Sequence, residues 1–152
     1  MPSASQVAQL ILALADEEEL ISNLKLQKLL YYAQGFFLAI HRAPLFPEPI
    51  KAWEHGPVVP AVWQEYRDFG ANAIPPHGDI DLGAFADREA DVVKEVYAVY
   101  GQFSAWKLRN MTHDEAPWSS TPRDAVISHK KLADYFVGQL TDDAHDDPAT
   151  QG

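Results

Sequence analysis

Two short polar clusters in this chain carry residue types that could do chemistry. Glu54–His55 lies in KAWEHGPVVPAVW (51–63), and His113–Asp114–Glu115 lies in NMTHDEAPW (110–118). A histidine beside carboxylates is the residue set of general acid–base catalysis, and imidazole with carboxylate oxygens can also ligate a metal. If the fold joined the two clusters in one polar pocket, they would equip a small His/carboxylate-dependent hydrolase. Neighbours along a loop need not point to one centre, however, and a lone HDE run supplies too few ligands. Asp and Glu ahead of Ala116–Pro117 are also ordinary turn formers. No glycine-rich phosphate loop, H-E-x-x-H or G-x-S-x-G accompanies them. The expectation is therefore no catalytic set, no metal and no cofactor, with the hydrolase kept as the alternative.

Four tryptophans frame these clusters. Trp63 and Trp106 fall at apolar positions of helical patterns and are expected in the core. Trp53 and Trp118 each stand beside a turn and a His–carboxylate group. They either plug loops onto the core, with the indole N–H bonded to a carbonyl, or anchor a partner.

The elements that must position these residues are mainly helical. Ser3 and Gln6 have capping-box spacing ahead of Val7, Leu10, Ile11 and Leu14, which predicts a first helix over 4–16. Ser22 or Asn23 caps a second helix ending near Arg42. It is apolar over most of its circumference, which places it at the centre, with Lys25 and Lys28 expected on a narrow wet side. Gly35 in its interior signals a close helix crossing. Three prolines make 43–50 an extended connection, and Ile50, Ala52 and Trp53 suit a short strand that Gly56–Pro57 breaks. Val59, Val62, Trp63, Tyr66 and Phe69 predict a third helix, followed by a long polar loop and a fourth helix over 87–100. Ser104 and Ser128 cap two more, and Thr121–Asp124 has helix-start spacing. The fold class is thus mainly α: a single compact helical domain over 1–140, about six helices, with at most a very small β element around 50–54. Residues 141–152 read as an acidic, disordered tail.

Composition limits the partners. With 22 acidic and 12 basic residues the formal charge is −10, which argues against direct nucleic-acid binding and favours a basic partner. A nucleic-acid mimic would need those acids arrayed on one face. The absence of cysteine excludes disulfides and agrees with a reducing cytoplasm. MPSASQ lacks the basic start of a signal peptide, and LLYYAQGFFLAI (29–40) is too short to span a bilayer, so no membrane role is expected.

The blocks LKLQKLLYYAQGF, PLFPEPIKAWEHGPVVPAVW and GQFSAWKLRNMTHDEAPW, in that order and spacing, resemble the Panacea-domain antitoxins, the SocA/GepA-like family. The likeness runs from about Leu24 to Trp118, and A-W-x-x-G-P-V-V-P and T-H-x-E-x-P-W are its most specific parts. The resemblance implies an antitoxin that binds and neutralises a cognate protein toxin, usually encoded beside it. It also implies, for some members, an adaptor role that hands the toxin to a ClpXP-type AAA+ protease. No catalytic residues come with it. At this length a DNA-binding extension like that of some relatives is not expected. Lys28, Tyr31 and Tyr32 on the second helix, and Trp53, Glu54 and His55 at the corner, are the expected toxin contacts. Gly56, Pro57, Pro60, Trp63, Thr112, His113, Glu115, Pro117 and Trp118 are expected to be structural.

Overall fold

A computed structural model describes residues 1–146 apart from Glu17 and His77, with 141–146 described as backbone only. It contains seven α-helices among the described residues: α1 (Ala4–Leu14), α2 (Asn23–His41), α3 (Pro60–Glu65), α4 (Asp87–Tyr100), α5 (Ala105–His113), α6 (Ala116–Ser119) and α7 (His129–Asp146). One hairpin, β1 (Lys51–Trp53) with β2 (Gly56–Val58), is the whole of the regular sheet among the described residues. The tail expected from 141 onward begins as the last turns of α7, and 147–152 lie outside the described residues.

The helix starts follow from side chains that take up N–H groups a helix leaves unbonded. Ser3 Oγ accepts from Gln6 N at 3.1 Å while Gln6 Oε1 accepts from Ser3 N at 2.9 Å, the reciprocal box read from the sequence. Ser22, Ser104 and Ser128 accept in the same way from Lys25 N, Lys107 N and Lys131 N. Helix α1 stops at Leu14, before the acids that oppose its dipole, and α2 ends in a left-handed Arg42.

Helix α2 is the axle of the molecule. Every residue from Lys25 to Ala39 is buried, and α1, α4, α5 and α7 all pack on it. The wet side expected through Lys25 and Lys28 does not exist. Both ammonium groups turn inward because backbone carbonyls of distant loops receive them: Lys25 Nζ donates to Gly101 O at 2.6 Å and Lys28 Nζ to Pro57 O at 3.0 Å. Helix α7 lies against α2 where Gly35 leaves a notch for the Phe136 ring, the close crossing anticipated for that glycine.

Two other elements depart from expectation. The third helix breaks after Glu65 into a short 3-10 turn, Arg67–Phe69. The Trp63 carbonyl, which a continuing helix would bond to residue 67, instead accepts from Asn23 Nδ2 at 3.1 Å. The stretch at Thr121–Asp124 does not begin a helix; α6 forms just before it. Residues 124–127 lie beside β1, turning at a left-handed Asp124 and then pairing antiparallel at Val126: Asp124 N donates to Ala52 O (2.7 Å), Ala52 N to Ala125 O (3.0 Å) and Ile127 N to Ile50 O (2.8 Å). Strand β1 therefore has neighbours on both edges. Pro57 does not break the strand region as expected but sits in β2 opposite Ala52.

Candidate partner-binding site

The corner 51–63 is built from behind by α2. Its buried polar side chains each hold loop backbone that would otherwise be unsatisfied inside the protein. Gln27 Oε1 accepts from Val59 N at 2.9 Å, and Gln27 Nε2 donates to Asn23 Oδ1 at 2.9 Å. Asn23 holds the Trp63 carbonyl, and Lys28 holds that of Pro57. Gly56 crosses directly over Lys28 with φ +113; a Cβ there would stand 2.8 Å from Lys28 Cε and 3.0 Å from Thr112 Oγ1. Only glycine meets both the backbone angle and the space. Pro60 then opens α3 at a first-turn position, where its missing N–H costs nothing.

The second block closes over the same corner from α5 and α6. Thr112 is buried under Gly56 and its hydroxyl donates to Arg109 O at 2.9 Å. Glu115 reaches in to α2, where the Tyr31 hydroxyl donates to one carboxylate oxygen (2.9 Å) and the Tyr32 hydroxyl to the other (2.8 Å). Pro117 is buried in the first turn of α6. Trp118 Nε1 donates to Trp53 O at 2.7 Å, which ties α6 to the hairpin. The Trp118 ring is stacked with His113 (centroids 3.9 Å, planes 3° apart) and with the Arg123 guanidinium at 3.7 Å. Two flat groups that close to one ring must lie on its opposite faces.

Burial sets the electrostatics here. Desolvation, helped by the nearby Arg109 charge, lowers Lys28 to about 7. Desolvation raises Glu115 to about 7, outweighing the two tyrosine hydroxyls that favour its carboxylate. Tyr31 and Tyr32 are pushed up by burial and by the Glu115 charge, so they remain hydroxyl donors. His113 is lowered by burial and then by Arg109, Lys28 and Arg123, while a hydrogen bond to the Glu54 backbone opposes the shift.

What faces solvent is the tip of the corner. Glu54 and His55 form the exposed hairpin turn, and Trp53 and Trp63 are half-buried behind it, edge to face with centroids 6.2 Å apart. Trp53 Nε1 donates to Asp124 Oδ1 at 3.1 Å. With Leu24, Val58, Arg123 and Asp124 these residues line an open groove of about 720 Å³.

The structure thus divides the expected contacts. Trp53, Glu54 and His55 line the groove. Lys28, Tyr31 and Tyr32 are no more than 1% exposed and are corrected to interior supports, since their polar ends are bonded to Pro57 and Glu115. The groups weighed for hydrolysis do not share a cavity: the groove carries Glu54 and His55 but none of His113, Asp114 and Glu115. Both Glu115 oxygens are taken by tyrosines, and His113 Nε2 is buried without a hydrogen-bond partner. Among the described residues no three His, Asp or Glu side chains could hold a metal. Trp106 departs from its expected core position and is 60% exposed, with the Arg109 guanidinium over its ring. Sequence reasoning missed Leu24, Val58, Arg123 and Asp124 as groove residues; the one signal was the Pro-Arg-Asp turn, whose spacing also fits a helix start.

Comparison with known proteins accords with this geometry. Residues 26–119 match the model of a family described as antitoxin SocA-like, Panacea domain. That span takes in α2 from Leu26 onward, the corner and the T-H-x-E-x-P-W block, which bond to one another in space. The chain is also similar to antitoxin SocA of Caulobacter vibrioides (strain NA1000 / CB15N), 49% identical over 132 residues, covering 76% of this chain and 68% of that protein. No solved structure matches it.

Proposed function

This chain belongs to the SocA-like, Panacea-domain antitoxins, and we propose that it acts by gripping its cognate protein toxin directly, with the 51–63 corner as the contact surface. The observation that carries the reading is the division of labour at that corner. Its backbone is fixed from behind by Gln27, Lys28, Asn23 and Trp118, while Trp53, Glu54, His55 and Trp63 stand at the front. A surface ordered before contact loses little entropy on binding, and aromatic groups in such surfaces carry much of the affinity. The net charge of −10 speeds encounter with a basic partner. No catalytic step is required. No helix among the described residues is long and apolar enough to cross a membrane, and the reading operates in the cytoplasm.

The test is gentle purification of the tagged chain from its own cells, with stoichiometric companions identified by mass spectrometry. A near-equimolar companion that is encoded beside this protein and arrests growth when expressed alone is the expected result. A chain that emerges alone contradicts it. Hand-over to a ClpXP-type protease extends the reading and separates in the same cells: the companion disappears faster with this protein present if it is an adaptor, and persists if the mode is occlusion alone.

A further inference from the structure

The groove at the corner has a chemistry of its own. Its floor is apolar: Leu24, Val58 and the two indoles that meet edge to face. Its charged rim is uneven. Glu54 is exposed at the turn, and the Asp124 side chain is 78% exposed, offering only one oxygen to Trp53 Nε1. The one guanidinium lining the groove, that of Arg123, is already engaged. It stacks on Trp118 and donates to the carbonyls of Trp118 (2.8 Å) and Thr121 (2.7 Å). Lys51 stands 3.9 Å from Asp124, at the outer limit of an ion pair with an acid that is itself mostly in solvent, so it offsets that acid weakly. Negative groups are thus the ones left to answer an incoming charge, and the tryptophan faces attract cations as well.

We propose that this groove receives a segment of the toxin in which a bulky apolar side chain is flanked by lysine or arginine. The apolar group packs on the floor made by Trp53, Trp63, Leu24 and Val58, and the flanking cations meet Glu54 and Asp124. This rests on the reading that the chain binds its toxin directly, and it names the part of the toxin that is gripped. The left-handed backbone of Asp124 (φ 69) and its bond to β1 hold the acid in place at the rim.

The experiment measures the affinity of the full chain for the companion protein recovered above, in wild-type form and in three variants. Trp63→Ser removes one indole of the groove floor and lowers affinity at least about thirty-fold, as for a central aromatic anchor. Glu54→Lys reverses an exposed rim charge, leaves the melting temperature unchanged, and lowers affinity about ten-fold by setting like charges together. Asp91→Lys, on the exposed face of α4, makes the same change in net charge away from the groove and leaves affinity within about two-fold. A second readout uses peptides alone, followed by tryptophan fluorescence. Gly-Lys-Phe-Phe-Lys-Gly quenches or shifts the emission, whereas Gly-Glu-Phe-Phe-Glu-Gly and Gly-Lys-Ala-Ala-Lys-Gly do not. Wild-type protein that fails to bind the companion sinks the direct-contact reading itself. Wild-type binding with Glu54→Lys and Asp91→Lys indistinguishable overturns only the groove, as does equal response to the acidic and basic peptides.

Discussion

The notch at Gly35 sets two effects against each other, and the structure decides the sign. Replacing an interior helical glycine by alanine ordinarily gains about 1 kcal/mol. Here the new Cβ would lie 2.2, 2.3 and 2.9 Å from Cε2, Cδ2 and Cζ of Phe136. Unstrained carbon contacts begin near about 3.5 Å, so the ring must retreat by more than about 1 Å. It cannot do so freely: Phe136 is fully buried, with the Phe36 ring at 4.7 Å, Tyr135 at 5.0 Å, Tyr31 at 5.5 Å and Tyr32 at 5.9 Å. Overpacking of this kind costs about 1–3 kcal/mol, and the aromatic box argues for the upper end. Subtracting the helix gain leaves Gly35→Ala destabilised by about 2 kcal/mol, which lowers the melting temperature by roughly 4–8 °C for a domain of this size. Thermal and denaturant unfolding both read this out. In a Phe136→Leu background, where the ring is gone, the same alanine is neutral or stabilising. Gly35→Ala that raises the melting temperature, or penalties that simply add in the double variant, would refute the packing argument.

The buried ionisable groups predict opposite slopes of stability with pH. Lys28 is depressed from 10.5 to about 7, so the stability it contributes is present above pH 10.5 and is lost as pH falls through 7; Lys28→Met flattens the curve over that window. Glu115 is raised from 4.5 to about 7, so its contribution is full below pH 4.5 and fades as pH rises through 7. Comparing urea midpoints of wild type and Glu115→Gln between those values isolates it, and a wild-type slope that survives both substitutions would show that other groups set it. Trp118→Phe deletes the indole bond to the Trp53 carbonyl, a loss of about 0.5–1.5 kcal/mol for one hydrogen bond. Denaturant unfolding measures that loss, and weaker toxin binding accompanies it because the hairpin is no longer tied to α6.

Helix starts were legible because their signals are local. Each capping serine bonds to a backbone N–H three residues on, and the apolar spacing of α1, α4 and α7 needs only its own turn to be read. The interior of α2 was not legible for the opposite reason. Lysine in a helix ordinarily marks solvent, and nothing within a few turns shows that Lys28 will meet Pro57 O, 29 residues away, or Lys25 the Gly101 carbonyl, 76 residues away. The same holds for 124–127, whose path beside β1 is fixed by that strand and not by its own spacing. At the site, the turn residues Glu54 and His55 could be read as exposed from their place before Gly56–Pro57. Trp106, expected in the core from its helical spacing, lies outside, whereas Trp118, read beside a turn, is drawn inward by its bond to the Trp53 carbonyl. The motif residues Thr112, His113, Glu115 and Trp118 were expected to be structural from their place in the T-H-x-E-x-P-W block, but what they touch became visible only when the hairpin was placed against them.

The central claim is that neutralisation works by contact, and its most direct measurement is a titration in a purified system that holds no protease. The growth-arresting companion is kept at fixed concentration and its activity followed as this protein is added. Contact predicts a linear fall that ends near one equivalent and fails to reach completion below it. Full loss of toxin activity at a small fraction of an equivalent, or none at several equivalents, would contradict it.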